Sequence, residues 1–402
     1  MKIKQTDFES YKIFILVALV NIFAVFIALF ISDGQFLKEI IWSGRSNLLA
    51  DFDTYFTNAS VSFYAWNYGV VYPGLPYLFY RCLVRITPST IPYSGVDHWR
   101  YLFVMIILTL CILMITYSVN KLLTDRSDRI RYVIIFILLV SEPFAFAAVE
   151  QQNAVLYTFV MLLIAMAWRD SDSKVKKELA LIIIAIAASF KLTPAVVGLL
   201  YLKEKRYKEA VRLLIYGIVL FFLPYCFLGG IDAFREYLDA TSITFAGGYM
   251  EPRPETIIGV CIEVGSLLGM ELRKGYVLGN IVANIYLIVV GILFFVCKKN
   301  WKTEFLLYSL MVIYVNRSYP YTLIYLFVPL LSFIKDKQTP CKSDYAYMCL
   351  IALIFTAYPI IRINIPTATF ITNYFCLYAL IIILIADLLW NRVRQAKNGA
   401  TN

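Results

Sequence analysis

The sequence predicts an all-α polytopic membrane protein, and three observations support that fold class. Of its 402 residues, 60% are hydrophobic and 16% are charged. In soluble globular domains, about 45–50% of the residues are apolar and about 25% are charged. Apolar runs near the length that crosses a bilayer, about 20 residues, recur along the whole chain. The net charge of +10 arises largely from basic clusters between those runs, as in the cytoplasmic loops of membrane proteins. This composition excludes a soluble nucleic-acid-binding protein and a disordered chain.

The first span follows a basic N-terminus that contains Lys2, Lys4 and Lys12, so its start is predicted inside the cell. The stretch from about Ile13 to Ile31 is too long for a signal-peptide core and lacks a small-residue cleavage site, which indicates an uncleaved helix. The clear spans along the chain are 12–32, 101–119, 131–149, 154–168, 208–228, 276–297, 303–317, 321–334, 345–360 and 374–391.

Residues 179–202 do not fit a single crossing. They are apolar with basic clusters at both ends, and one crossing would place one cluster outside and invert every later loop. Two short half-helices that meet at residues 190–194 keep both clusters inside, because Pro194 cannot donate to a helix ladder. Lys191 would lie at this break, and an ionisable residue inside the membrane marks a functional site by default. A structural cap or a buried ion-pair partner is the alternative role.

With this hairpin counted as two helices, the chain forms a bundle of about 12 helices with both termini in the cytoplasm. The whole chain, 1–402, is predicted as a single integral membrane domain. Two sizeable loops, 33–100 and 229–275, then lie outside the cell. A channel or a carrier of small solutes usually needs no such loop, whereas an enzyme that works at the outer face does.

The first of these loops contains the densest polar and aromatic run, with Asp51, Asp53 and Tyr55 followed by Tyr72. Two carboxylates with one residue between them, followed by aromatic rings, suit a site that deprotonates a hydroxyl while stacking on a sugar. Solvated loop acids are the alternative. His98 is the only histidine, so proton transfer falls to a carboxylate. The eight cysteines include no C-x-x-C pair, which favours buried hydrophobes over a metal or disulfide framework.

Two further polar clusters occupy predicted outer turns. Glu150, Gln151, Gln152 and Asn153 could hydrogen-bond sugar hydroxyls or form an ordinary turn. Arg317, in the later turn of residues 316–322, could bind a lipid phosphate because its planar fork matches phosphate oxygens. An interfacial arginine within a tyrosine belt is the alternative.

These clusters occur in an order that resembles the GT-C superfamily of polytopic glycosyltransferases, specifically glycosyltransferase family 87, which includes polyprenyl-phosphate-mannose-dependent mannosyltransferases. The most specific element is Lys191-Leu192-Thr193-Pro194, which matches the family's Lys-Leu-Thr-Pro motif. Two departures are Glu150, where the family has Gly, and Ile324, where a His is often found. The other matching elements are Asp51 to Tyr55 with Tyr72-Pro73, Gln151 with Asn153, Thr256 to Gly259, and Pro320, Thr322 and Tyr325.

The resemblance implies a GT-C-like bundle and an inverting transferase. It would move a hexose of the mannose or glucose type from a polyprenyl-phosphate-sugar donor to a glycolipid or polysaccharide acceptor at the extracytoplasmic face. Asp51 would be the catalytic base. The residues expected to bind substrate are Asp53, Tyr55, Tyr72, Glu150, Gln151, Asn153, Lys191, Arg317 and Tyr325.

The same scheme sets the expected partners. The lipid phosphate already carries the sugar across the membrane, so no metal and no other cofactor is expected. The partners are the lipid-linked donor, the acceptor and the bilayer, with no nucleic acid. The expected location is a bacterial plasma membrane.

Two other functions fit a similar topology. An O-antigen-type polymerase that joins lipid-linked oligosaccharides would have paired arginines in large external loops, and Arg235, Arg253 and Arg273 are sparse. A transporter or flippase of lipid-linked sugars would repeat discontinuous helices in both halves, and the sequence has one broken segment without an obvious counterpart.

Overall fold

The computed structural model describes residues 10–32, 49–61, 72–86, 96–145, 147–148, 151–246, 255–315, 318–336, 342–356, 362–365 and 368–399. The chain divides into two compact units. Unit 1 contains residues 1–44, 122–145 and 249–402, and unit 2 contains residues 45–121 and 146–248.

Helices make up nearly all of the described regular structure, as the sequence predicts. The α-helices are α1 (Lys12–Ile31), α2 (Ala50–Val61), α3 (Gly74–Ile86), α4 (Val96–Leu122), α5 (Asp128–Leu139), α6 (Glu142–Ala145), α7 (Ala154–Trp168), α8 (Lys174–Phe190), α9 (Leu199–Lys203), α10 (Tyr207–Phe222), α11 (Tyr225–Leu228), α12 (Ile231–Ala246), α13 (Ile257–Leu267), α14 (Leu272–Val296), α15 (Trp301–Ser309), α16 (Phe327–Asp336), α17 (Lys342–Thr356) and α18 (Thr372–Gly399). Short 3₁₀-helices span Thr193–Gly198 and Pro320–Leu326, and Leu310–Tyr314 is π-helical.

The exposed faces of the long helices are apolar, which is the surface expected against lipid rather than water. On α14, Ile281, Ile285, Ile288 and Ile292 are each more than half exposed, and their spacing places them on one side of the helix. Among the described residues, four helical segments are long and apolar enough to cross a bilayer: Tyr101–Leu122, Tyr207–Leu228, Leu272–Val296 and Thr372–Gln395.

In unit 1, α13 and α14 approach each other closely through two glycines on α14. A Cβ atom on Gly279 would lie 2.7 Å from the Ile258 Cα atom, and one on Gly275 would lie 3.0 Å from the Ile262 Cα atom. Glycines four residues apart let two membrane helices bring their backbones together, so that dispersion contacts hold the pair. The segment 229–275, predicted as an outer loop, thus contains a helix that packs along the next span.

The apolar run predicted as one span near 131–149 is interrupted in the structure. Helix α5 ends at Leu139, and α6 begins at Glu142. The Ser141 hydroxyl donates to the Leu138 carbonyl at 2.7 Å and accepts from the Phe144 amide at 3.4 Å. Pro143 has no amide hydrogen to continue the helix, so a serine bridges the end of one helix and the start of the next.

Unit 1 also contains a short strand pair within the mainly helical fold. Strands β1 (Arg362–Ile365) and β2 (Ala368–Ile371) run antiparallel, with Arg362 opposite Ile371 and Ile365 opposite Ala368. The pair lies between α17 and α18, which pack against each other. The strand pair therefore connects two helices that pack against each other, and it adds no further sheet to the fold.

In unit 2, the helix break predicted at residues 190–194 is confirmed. Helix α8 ends at Phe190, and Lys191 has an extended backbone with φ −149° and ψ 129°. Pro194 lies in the first turn of the next 3₁₀-helix, where a missing amide hydrogen costs little. The outgoing limb is about 25 Å long at 1.5 Å per residue. The returning limb, a 3₁₀-helix followed by α9, is about 20 Å long.

The returning limb ends where the outgoing limb begins. Arg169, just before α8, forms an ion pair with Glu204, just after α9. Arg206 forms an ion pair with Asp170 at 2.8 Å and donates to the Arg169 carbonyl at 3.1 Å. The basic clusters on either side of the hairpin therefore lie at one end of unit 2, as the charge pattern predicts.

Tyr201 completes this attachment, which we call the hairpin clamp (Arg169, Asp170, Tyr201, Glu204 and Arg206). The two guanidinium carbons lie 5.0 Å and 4.9 Å from the centroid of its ring, within the range of a cation–π contact. The Arg169 side chain is 1% exposed. Removing one partner of such a buried ion pair costs about 3–5 kcal/mol, because the other charge is then left buried and unpaired.

We predict that Gly279→Ala destabilises the protein by about 1–3 kcal/mol, the usual cost of forcing atoms into a packed interface. The matched control is Gly291→Ala on the same helix, where an added Cβ atom meets nothing within 4 Å. Thermal unfolding in detergent should show a lower midpoint for Gly279→Ala and an unchanged or higher midpoint for Gly291→Ala. Equal midpoints for the two variants would contradict the close packing of α13 on α14.

Candidate active site

Asp51 lies in the first turn of α2, which begins after Leu49 in the left-handed conformation with φ +63°. A carboxylate in the first turn interacts favourably with the helix dipole. Phe52, Tyr55 and Phe56 are buried and anchor the helix, while Asp51 is partly exposed. Asp51 and Tyr55 are four residues apart, so their side chains lie on the same face of α2.

The turn before α7 holds this carboxylate in place. Asn153 caps α7 because its Oδ1 atom accepts from the Val155 amide at 2.8 Å. Its Nδ2 group donates to Asp51 Oδ2 at 2.5 Å. The Phe52 amide donates to the Gln151 carbonyl at 3.2 Å. Two hydrogen bonds thus join the start of α2 to the start of α7, although they lie about a hundred residues apart in the sequence.

Tyr72 contacts three of the predicted site residues. Its hydroxyl donates to Asn153 Oδ1 at 3.2 Å, and its ring centroid lies 4.8 Å from that of Tyr55. The Lys191 Nζ atom lies 6.0 Å from the Tyr72 ring centroid. The side chain of Tyr72 is buried, so it lies fixed beside both the Asn153 amide and the Lys191 ammonium group.

Lys191 supplies positive charge at the tip of the hairpin. It is partly exposed, and its charge interacts with that of Asp51. The position follows from the fold, because the clamp holds one end of α8 and Lys191 lies at the other end. Lys191 therefore lies at the C-cap of α8 and interacts electrostatically with Asp51, and its functional role remains a prediction.

An aromatic layer supports these groups from within unit 2. The ring centroid of Phe79 on α3 lies 5.9 Å from that of Phe190 at the end of α8 and 6.0 Å from that of Tyr157 on α7. It lies 5.2 Å from that of Tyr80, which is itself 5.4 Å from Tyr55. The dense aromatic run at residues 77–80 is the sequence signal for this layer, and the predicted site residues did not include it.

The predicted site residues divide into three groups. The structure brings together Asp51, Tyr55, Tyr72, Asn153 and Lys191, and Gln151 joins them through its carbonyl. Asp53 is half-buried in the same turn of α2.

Tyr325 is buried in the 3₁₀-helix Pro320–Leu326, which belongs to unit 1. Glu150 and Arg317 lie outside the described residues. Within the described residues, no group of three or more His, Cys, Asp or Glu side chains is placed to hold a metal. Independence from metal remains a prediction.

Unit 1 contains a buried polar contact that the predicted site residues also omit. Asn373 donates to Glu142 Oε2 at 2.6 Å and to the Ile354 carbonyl at 3.1 Å. Both side chains are nearly fully buried. An acid next to a proline inside an apolar run was the signal in the sequence, since ionisable groups within membrane segments are rare and usually functional.

The apolar helices indicate an integral membrane protein, and unit 2 gathers a cluster of polar and aromatic side chains around Asp51 and Lys191. A family model described as glycosyltransferase family 87 matches residues 89–316. This match covers more than half of the chain, which therefore belongs to that family and is a membrane glycosyltransferase of the GT-C type. The matched range contains Asn153 and Lys191 and begins after Asp51 and Tyr72. No curated protein and no solved structure matches the chain.

We predict that Asn153→Ala lowers glycosyl transfer about tenfold or more, because Asp51 loses the amide that orients it; a hydrogen bond to a charged group contributes about 1.5–3 kcal/mol. Ser173→Ala is the matched control, since Ser173 caps α8 through the Lys176 amide at the opposite end of unit 2. Both variants lose a helix cap, worth about 1 kcal/mol. Transfer assays should therefore separate them, and an equal effect on transfer would refute the special role of Asn153.

Proposed function

We propose that this glycosyltransferase moves a hexose, of the mannose or glucose type, from a polyprenyl-phosphate carrier to a glycolipid or polysaccharide acceptor, with inversion at the anomeric carbon. The observation that carries the proposal is the placement of Asp51, oriented by Asn153 and facing Lys191 beside the Tyr72 ring. A membrane glycosyltransferase with these groups has a base for the acceptor and a cation for a phosphate.

Asp51 is the base in this scheme. An inverting displacement needs one carboxylate within hydrogen-bond reach of the acceptor hydroxyl. Asp51 takes the hydroxyl proton as the oxygen attacks the anomeric carbon, and the bond from that carbon to the phosphate oxygen breaks. The polyprenyl phosphate leaves with the electron pair. The Asn153 amide limits the rotation of the carboxylate and so fixes the direction in which it accepts the proton.

Lys191 stabilises the departing phosphate. Charge develops on the phosphate oxygen as the bond breaks, and a fixed cation in a site partly shielded from water stabilises that charge strongly. The hairpin delivers the ammonium group without a flexible loop, since α8 is held at its far end by the clamp. Arg317 remains a second candidate for the phosphate, as the sequence suggests.

The active site would face the extracytoplasmic side. In unit 2, the basic residues of the clamp lie at one end, and Asp51, Asn153 and Lys191 lie at the other end of α7 and α8. The positive-inside rule places the basic end in the cytoplasm. The proposed topology has twelve helices with both termini cytoplasmic, in a bacterial plasma membrane, with a lipid-linked donor that presents its sugar on the outer side.

We predict that Asp51→Asn lowers transfer by about 10²–10⁴-fold, the usual contribution of a general base. Asp53→Asn is the comparison in the same helical turn, and it should lower transfer less than Asp51→Asn, because a substrate-binding contact is lost and not the base. The purified variants would be incubated with polyprenyl-phosphate mannose or glucose and candidate glycolipid acceptors, with products read by mass spectrometry. Near-normal transfer by Asp51→Asn, or loss only in Asp53→Asn, would refute Asp51 as the base.

We predict that Lys191→Met raises the donor concentration needed for half-maximal transfer about tenfold or more, because the phosphate loses a charged partner. Lys191→Arg retains the charge and should restore part of the donor affinity. Donor saturation curves at fixed acceptor measure both variants. Unchanged curves for Lys191→Met would show that Lys191 serves only to cap α8.

A further inference from the structure

We propose that Gln152 is a specificity-determining residue whose side-chain amide binds a hydroxyl group of a substrate sugar. This inference rests on the proposed function and goes beyond it, because it assigns a recognition role to a residue that lies between two predicted site residues. It depends on the burial of the amide, on its backbone conformation and on its neighbours.

The Gln152 side chain is fully buried, with a relative exposure of 0%. Within the part of the chain that the structure describes, neither its Nε2 nor its Oε1 atom has a hydrogen-bond partner. A buried amide without partners is costly, and proteins satisfy the great majority of such groups. An exception next in sequence to Asn153, which holds the proposed base, therefore calls for a functional partner.

The backbone of Gln152 is strained as well. Its φ angle is +48°, in the left-handed region that residues other than Gly and Asn rarely adopt. Such conformations persist only where the surrounding structure holds them, and they concentrate at functional sites. Here the neighbours supply that hold, since the Gln151 carbonyl binds the Phe52 amide and Asn153 binds Asp51.

The neighbouring phenol does not saturate the amide. Tyr157 lies close enough to the Gln152 side chain for a weak polar contact, and its hydroxyl donates to the backbone carbonyl of Gln152 at 3.5 Å. A glutamine amide has two donor hydrogens and an acceptor oxygen. One phenol oxygen therefore leaves most of the donor and acceptor positions of the Gln152 amide without a hydrogen bond.

Thr193 provides a second sign of a polar ligand at this end of unit 2. Its Oγ1 atom is buried and, like the Gln152 amide, lacks a hydrogen-bond partner among the described residues. Thr193 is two residues from Lys191, and Gln152 is next to Asn153. Two different chain segments of the site therefore each contain buried polar atoms without a hydrogen-bond partner among the described residues.

A sugar ring suits this combination of groups. Its hydroxyls both donate and accept, as an amide does, and its apolar face stacks on aromatic rings such as the nearby Tyr72 and Tyr55. A site that hydrogen-bonds a substrate hydroxyl rejects analogues that lack it, because the buried partner is then left unpaired. Gln152 would therefore distinguish sugars by the hydroxyl at one ring position.

The test compares Gln152→Met with the wild-type protein, since methionine has a similar length and shape without the amide. The probes are polyprenyl-phosphate mannose and its four analogues that lack the hydroxyl at position 2, 3, 4 or 6, measured by competition with the labelled parent lipid. A second arm measures transfer to acceptors deoxygenated one position at a time, which separates a donor hydroxyl from an acceptor hydroxyl. Thr158→Val is the matched control, since that buried hydroxyl donates to the Ala154 and Val155 carbonyls of α7.

We expect one deoxy compound to bind or react about tenfold more weakly than its parent with the wild-type protein. That difference should shrink to about twofold or less in Gln152→Met and persist in Thr158→Val. The melting temperature of Gln152→Met should stay unchanged or rise, because an unpaired buried amide is removed.

An unchanged set of deoxy penalties in Gln152→Met would overturn the inference and indicate a buried water or a purely structural amide. A melting temperature several degrees lower would likewise show that the amide has a structural partner. Failure of the proposed function has a different signature, because the wild-type protein would then show no saturable binding of any lipid-linked hexose.

Discussion

The ion pairs that join Arg169 to Glu204 and Arg206 to Asp170 hold the arrangement of unit 2 together. A chain that turns back inside a membrane must satisfy its backbone groups and pack against protein at the turn. The clamp closes the open end of the hairpin, while α8 packs between α7 and α10. The position of Lys191 follows from this closure. The clamp holds the start of α8, and Lys191 lies at the other end of that helix. The functional charge is therefore set by contacts at the far end of the helix.

Asn153 performs the corresponding role for the carboxylate. One side-chain amide caps α7 through its oxygen and orients Asp51 through its nitrogen. The start of a helix and the direction of a reactive group are thus determined by the same residue. Tyr72 adds a second contact to the same amide, and its ring lies beside the Lys191 ammonium group. In the proposed mechanism, the reacting groups of this unit therefore lie at helix ends rather than in helix interiors.

The sequence was informative where a physical rule acts over a short distance. Pro194 and the basic clusters on both sides predicted the hairpin, and apolar runs predicted most helices within a few residues. The contact between Asp51 and Asn153 follows from tertiary packing and has no local signal. The break before Glu142 and the helix α13 within the second predicted outer loop were missed, because serine capping and glycine packing depend on neighbours that hydropathy does not identify.

The central claim is that the hairpin returns, so that its two basic ends share one side of the membrane and the Asp51 site lies on the other. Single cysteines at Lys174, Lys203 and Thr54, in a chain freed of its eight native cysteines, would be tested with a membrane-impermeant maleimide. The account predicts that the cysteine at Thr54 reacts in intact cells, whereas those at Lys174 and Lys203 react only after permeabilisation. Labelling of the cysteines at positions 174 and 203 from opposite sides of the membrane would contradict a returning hairpin.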